Sequence, residues 1–265
     1  MTGGAMQYNH LECFLDSIRK GKLCIGCCVT FNDPAVTEIA AEAGFDFCWI
    51  DGEHGELDRF SAMTHIMVLK GTSCAPFFRV PACSHTEIKK VIDFAPAGII
   101  VPMIMNAEDA DYAVRACRYP PVGNRGCGMR RGNRYGTVSD ADYFDESNHD
   151  PLVILQIEHI DAYRDLDRIL AVPGVDSILI GPYDLSCSMG HPGEWDHPEI
   201  NAVFDETARK SRAAGKLLGA YAECGIEHWL KRGVQYIACA NDTGAMMTGF
   251  RQMIKKIRDA ESSTE

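Results

Sequence analysis

Four short stretches of this 265-residue chain carry side chains of the kinds that do chemistry near neutral pH: Asp51-Gly52-Glu53-His54, Arg79-Val80-Pro81, Gln156-Ile157-Glu158 and Gly181-Pro182-Tyr183-Asp184. Glu158 and Asp184 are hard oxygen donors of the sort that Mg²⁺ or Mn²⁺ prefers, with water and a substrate oxygen filling the remaining octahedral positions. The plainer alternative is that Glu158 pairs with Arg79 in a structural ion pair while Asp184 caps the turn at Leu185-Ser186. His54 can move a proton near pH 7, directly or through water, and Asp51 could hold it in place. One histidine among nine is more often structural than catalytic, so its case rests on its position and its acidic neighbours. Arg79 offers planar donors to a carboxylate or a developing enolate, or equally an ion pair at a rim.

The pattern around these stretches decides whether they can meet. Short runs rich in branched and aromatic residues, at 23–31, 46–50, 75–80, 98–103, 152–157, 177–180, 216–221 and 235–240, alternate with amphipathic stretches. Those stretches span 34–43, 59–69, 86–94, 107–117, 162–170, 198–214, 226–232 and 243–258. Most of the runs are uniformly apolar, as strands of a buried parallel sheet are. Acceptors precede several helix starts: Asp33 before Pro34, Ser84 ahead of Glu87, and Asn106 ahead of Glu108 and Asp109. Eight βα units in roughly 240 residues fit an α/β fold, a single-domain (β/α)8 TIM barrel over 20–260 behind an N-terminal extension or helix at 1–19. In such a barrel the C-terminal strand ends carry the chemistry, and all four stretches fall there.

Composition removes other classes. At 46% hydrophobic the chain is not a disordered tail, and a net charge of -11 gives no basic face for nucleic acid. No apolar run approaches the ~18 residues that cross a bilayer, so no membrane partner and a cytoplasmic location are expected. The 12 cysteines are scattered, and the one metal-like spacing, Cys24, Cys27 and Cys28, has no second pair; they read as reduced packing residues. The lysines fall on helices or loops, apart from Lys216 at the start of the seventh run, which argues against Schiff-base chemistry. No glycine cluster follows the last two runs, so a phosphorylated substrate is disfavoured. The connection 118–151 carries Arg118, Arg125, Arg130, Arg131 and Arg134, and reads either as a solvated loop or as a receiver for an anionic substrate or a partner subunit.

Several motifs then recur in a familiar order. Ala43-Gly44-Phe45-Asp46 leads to Asp51-Gly52-Glu53-His54, followed by Arg79-Val80-Pro81, Val101-Pro102-Met103, Arg118-Tyr119-Pro120-Pro121 with Gly123-Asn124-Arg125-Gly126, Gln156-Ile157-Glu158 and Gly181-Pro182-Tyr183-Asp184-Leu185-Ser186. Over 20–258 the chain resembles the HpcH/HpaI aldolases, metal-dependent class II pyruvate aldolases. The resemblance implies a divalent ion (Mg²⁺, Mn²⁺ or Co²⁺) on Glu158 and Asp184, with a pyruvate unit chelating it. It implies His54 as acid and base with Asp51 assisting, Arg79 as stabiliser of the enolate oxygen, Gln156 as a substrate contact and Asp93 as support for Arg79. Tyr183, small in some relatives, and Arg125 of the basic loop are further candidate substrate contacts. The implied reaction is reversible cleavage of a 4-hydroxy-2-oxo acid to pyruvate and an aldehyde. The implied assembly is a homo-oligomer, commonly a hexamer, with the helix at 243–258 exchanged between neighbours. The rival readings are a citrate-lyase-type or malyl-CoA-type acyl lyase, and a non-catalytic keto-acid-binding barrel.

Overall fold

A computed structural model describes residues 8–263. Strands β1 (Cys24–Val29), β2 (Phe47–Asp51), β3 (Ala75–Arg79), β4 (Gly98–Val101), β5 (Leu152–Ile157), β6 (Ser177–Ile180), β7 (Leu217–Tyr221) and β8 (Tyr236–Asn241) close in sequence order into a barrel. Each pairs in parallel with its neighbours, β8 back to β1. All eight apolar runs are therefore strands. Around them lie α2 (Ala35–Glu42), α3 (Arg59–Val68), α4 (His85–Ile92), α5 (Ala107–Cys117), α6 (Asp140–Glu146), α7 (Ile160–Arg164), α8 (Leu166–Ala171), α9 (Pro182–Ser188), α10 (Pro198–Ala213), α11 (Ile226–Leu230) and α12 (Asp242–Ser262), after α1 (Leu11–Arg19).

Strand alternation sorts the apolar residues into two cores. On β2, Cys48 and Ile50 pack outward under the helices, whereas Phe47 and Trp49 fill the barrel. The same alternation sends Cys24 and Cys28 inward and Cys27 outward, so the three thiols cannot converge on one ion. The lower barrel is filled by rings. Phe14 of α1 inserts from the N-terminal mouth, its centroid 4.8 Å from Phe77 and 5.8 Å from Phe47. Gly26 and Gly219 make this possible, because a Cβ at either position would stand 2.2 Å from the ring of Phe47 or Tyr236. Each ring so buried contributes about 1.5–3 kcal/mol. With that end packed, the chemistry is left to the other.

Of the expected extension at 1–19, the part at 11–19 is α1, and residues 1–7 lie outside the described residues. Asn106 caps α5 by accepting from the Asp109 N–H at 2.9 Å, and Asp33 accepts from the Ala35 N–H at 2.9 Å. Ser84 makes no side-chain cap, and its carbonyl takes the Ile88 N–H instead. The single helix expected at 162–170 is two, broken at Asp165, while α6 and α9 were not expected. The connection 118–151 is neither a plain solvated loop nor a wall of the strand-end cavity. Its Arg118, Arg125 and Arg131 are buried, and they tie it to Asp176, Asp93 and the Phe94 carbonyl near the N-terminal face. Among the described residues no helix is long and apolar enough to cross a membrane.

Candidate active site

Asp51 and Arg79 are register partners at the tops of β2 and β3, and both side chains turn into the barrel. The guanidinium donates Nε–H to Oδ1 at 2.9 Å and Nη2–H to Oδ2 at 2.7 Å, a planar fork on a planar carboxylate. Arg79 Nη1 stands 2.9 Å from Glu53 Oε2, and the guanidinium lies over the Trp49 ring, 4.8 Å from its centroid. Arg79 is thus held by two acids and an aromatic face. Burial pushes the Asp51 carboxyl up, but the Arg79 hydrogen bonds and charge outweigh it and leave the group below its usual value. Glu53 goes the other way: burial, with Asp51 and Asp184 near, raises it against the pull of Arg79 and His54.

The turn after β2 explains where His54 sits. Asp51 Oδ1 also accepts the backbone N–H groups of Glu53 (3.0 Å) and His54 (3.3 Å), and the Gly55 N–H closes onto the Asp51 carbonyl at 3.1 Å. A Cβ at Gly55 would stand 2.3 Å from that carbonyl oxygen, so the turn requires glycine there. Asp51 therefore positions His54 through the backbone, and its carboxylate is engaged by Arg79 instead of the imidazole. The His54 side chain is 66% exposed, with Nε2 at 4.0 Å from Glu53 Oε2.

Glu158 follows β5 and is buried. Oε1 accepts the Met103 N–H at 2.6 Å, and Oε2 accepts from Gln156 Nε2, whose own Oε1 lies 3.5 Å from Arg79 Nη1. Burial lifts the Glu158 carboxyl to about 7; the Met103 N–H opposes this, and the Glu53 charge adds to it ahead of Asp184. Of the two alternatives for this residue, the Arg79 ion pair is not formed: Arg79 goes to Asp51 and Glu53. Gly181 borders the same carboxylate, and a Cβ there would come within 2.9 Å of Glu158 Oε2 and 2.8 Å of Gln156 Nε2. Asp184, exposed in the first turn of α9, is near enough for its charge to act on both Glu53 and Glu158. Mutually repelling oxygen donors around a cradle kept open by glycine are a donor set that fits a hard divalent cation.

These groups face one cavity of about 340 Å³ at the C-terminal strand ends. Of the expected residues Asp51, His54, Arg79, Gln156, Tyr183 and Asp184 line it, with Glu158 bordering it behind Gly181. Asp93 and Arg125 do not line it. They pair with each other at 2.9 Å, and Arg125 also donates to the Tyr143 hydroxyl at 2.9 Å. In this chain Asp93 supports Arg125, and the acids on Arg79 are Asp51 and Glu53. Glu53 was missed although it lies between two chosen residues, Asp51 and His54, because it is the path of the turn after β2 that brings it to Arg79. Cys28, read from sequence as a packing residue, also lines the cavity, as do Thr30, Trp49, Tyr221, Asn241 and Thr243, which no motif marked.

His191, His197 and Glu199 have potential ligand atoms within 4.8 Å of one another at the start of α10. There His197 Nδ1 already accepts the Glu199 N–H, and the helix N-terminus opposes a cation.

Residues 25–248 match the HpcH/HpaI aldolase/citrate lyase family. The chain is 35% identical over 238 residues to the 5-keto-4-deoxy-D-glucarate aldolase of Escherichia coli O139:H28, covering 89% of this chain and 91% of that protein. Two solved structures share the fold at a TM-score of 0.85 and 28% identity, each covering 92% of this chain. One is an HpcH/HpaI aldolase from Desulfitobacterium hafniense DCB-2, covered to 96%; the other is an HpcH/HpaI aldolase/citrate lyase family protein from Burkholderia cenocepacia J2315, covered to 98%. With the barrel, the strand-end acids and the clamped arginine all in place, the chain belongs to the HpcH/HpaI aldolase/citrate lyase family, enzymes of carbon–carbon bond cleavage.

Proposed function

We propose that the protein is a divalent-metal-dependent aldolase that reversibly cleaves a 4-hydroxy-2-oxo acid to pyruvate and an aldehyde. The observation that carries this reading is Glu158, a buried carboxylate with two acidic neighbours, bound among the described residues by no arginine and linked through Gln156 to a fixed guanidinium. Glu158 and Asp184 would hold the ion, with Mg²⁺, Mn²⁺ or Co²⁺ as the candidates. When bound, it supplies Lewis-acid polarisation to the 2-oxo acid end of the substrate.

The chain's own residues do the rest. His54, at the cavity mouth, takes the proton of the 4-hydroxyl as the C3–C4 bond breaks, a role worth about 10²–10⁴ in rate. The electron pair of that bond moves into the enolate of the three-carbon fragment. Arg79, pinned by Asp51 and Glu53, presents a fixed cation to the enolate oxygen without having to reorganise. Gln156 and Tyr183 border the same space as substrate contacts, and protonation at C3 gives pyruvate.

The same reading includes a homo-oligomer, a hexamer by resemblance, that exchanges α12. It is supported by the outer face of α12, where Met246, Phe250, Met253, Ile254 and Ile257 stand exposed at helical spacing. The free cysteines suit a reducing cytoplasm. A pyruvate-release assay over a panel of 4-hydroxy-2-oxo acids tests the reading: turnover of at least one is expected, and none across the panel would reject it.

A further inference from the structure

Tyr183 lines the cavity from the first turn of α9 with 51% of its surface exposed, and what steadies its ring comes from the segment that follows α9. Residues 189–197 fold back toward that turn through bends at Gly190 (φ 83°) and Gly193 (φ 74°), a conformation that glycine adopts without strain. Ser186, fully buried, ties the segment to the turn. Its Oγ accepts the Gly193 N–H at 3.0 Å and donates to the Tyr183 carbonyl at 2.7 Å, while its own carbonyl takes the His191 N–H at 2.9 Å.

The bends deliver Trp195 to Tyr183. The two rings meet edge to face, their centroids 5.8 Å apart and their planes at 65°. The Trp195 main chain is fixed from the other side: its carbonyl accepts from Asn201 Nδ2 of α10 at 2.7 Å, and Asn201 Oδ1 accepts from Arg232 Nη2 at 2.9 Å. Trp195 does not itself line the cavity, so its influence on a substrate passes through Tyr183. An aromatic pair of this geometry biases a side chain toward one rotamer by about two- to tenfold beyond what area burial gives.

We propose that Trp195 is a positioning residue for substrate binding, holding the Tyr183 ring at the cavity wall where substrate meets it. The inference rests on the aldolase reading above, with Tyr183 as a substrate contact, and adds a residue that no motif marked. Without Trp195 the Tyr183 ring samples other rotamers and has to be ordered when substrate binds; with Trp195 in place that ordering is complete once the chain folds. Ground state and transition state benefit alike, so the effect falls on KM and leaves kcat.

The test is a double-mutant cycle on the full-length enzyme with Mg²⁺, measuring kcat and KM for pyruvate release from a 4-hydroxy-2-oxo acid. Trp195→Ala is expected to raise KM about two- to tenfold with kcat little changed, and Trp195→Phe, which keeps a ring, to restore most of the loss. In a Tyr183→Ala background Trp195→Ala is expected to raise KM no further. An unchanged KM in Trp195→Ala, a loss confined to kcat, a phenylalanine as damaging as alanine, or the same KM rise in both backgrounds overturns the assignment. Deuterium exchange into the pyruvate methyl group in D2O by the wild-type enzyme separates the two layers. Exchange together with an additive cycle rejects only the role of Trp195, whereas absent exchange rejects the aldolase reading and this inference with it.

Discussion

Arg79 meets Asp51 through two parallel hydrogen bonds, 2.9 and 2.7 Å long, between register partners on neighbouring strands. The fork aligns the guanidinium plane, and Asp51 at the same time holds the turn that carries His54. Asp51→Asn should therefore damage stability and rate together. Leaving a buried guanidinium short of one partner costs about 3 kcal/mol, and a misaligned Arg79 about 10²–10³ in kcat. Denaturant titration and pyruvate release read the two effects; a variant with normal stability and normal turnover would remove Asp51 from both roles.

His54 contrasts with its neighbours because its side chain makes little of the fold, being 66% exposed. His54→Ala should keep the wild-type melting temperature within about 1–2 °C while cleavage falls about 10²–10⁴-fold. Undiminished cleavage would move the base elsewhere.

Gly181 is needed for space. A methyl group there would press on Glu158 Oε2 and Gln156 Nε2 from under 3 Å. Gly181→Ala is expected to weaken Mn²⁺ binding by about 10–100-fold, the usual consequence of displacing a ligand or its supporting hydrogen bond. Calorimetric titration with Mn²⁺ gives the answer, and unaltered affinity would separate Gly181 from the ion.

Asp150 sets a pH dependence remote from the chemistry. Burial pushes its carboxyl up to about 7 from an ordinary 3.8, although Asn9 Nδ2 donates to both oxygens at 2.9 and 2.8 Å. Between these values the folded chain keeps a proton that the unfolded chain releases, so stability falls as pH rises from about 4 to 7 and then levels. Three units correspond to roughly 4 kcal/mol at most. Asp150→Asn removes that penalty but takes away one of the two oxygens offered to Asn9, which keeps the Pro96 carbonyl at 3.2 Å, for a net gain of about 1–2 kcal/mol at pH 8 and none at pH 4. Unfolding midpoints at the two pH values check it; a variant equally stabilised at both would contradict the sign.

The strands were readable because a parallel barrel buries both faces of each strand, which makes runs such as 98–103 uniformly apolar. The chemistry was readable in part because barrel strand ends are its one location, which joined Asp51, Arg79, Gln156 and Asp184 from across the chain. What escaped depends on distances that spacing does not carry. Glu53 reaches Arg79 across a turn, Tyr221 and Asn241 meet from different strands, and Arg125 turns toward Asp93 at the far face. The short helices α6 and α9 were missed because seven residues show too little periodicity, and α9 opens with a proline within the motif that was read as a site.

Glu158 and Asp184 are proposed to hold a divalent ion on which cleavage depends. Pyruvate release from a 4-hydroxy-2-oxo acid by enzyme stripped with a chelator and then resupplied with Mg²⁺, Mn²⁺ or Co²⁺ tests this dependence. Turnover lost on stripping and restored by at least one of the ions is the expected result; turnover that survives in the metal-free enzyme would contradict the account.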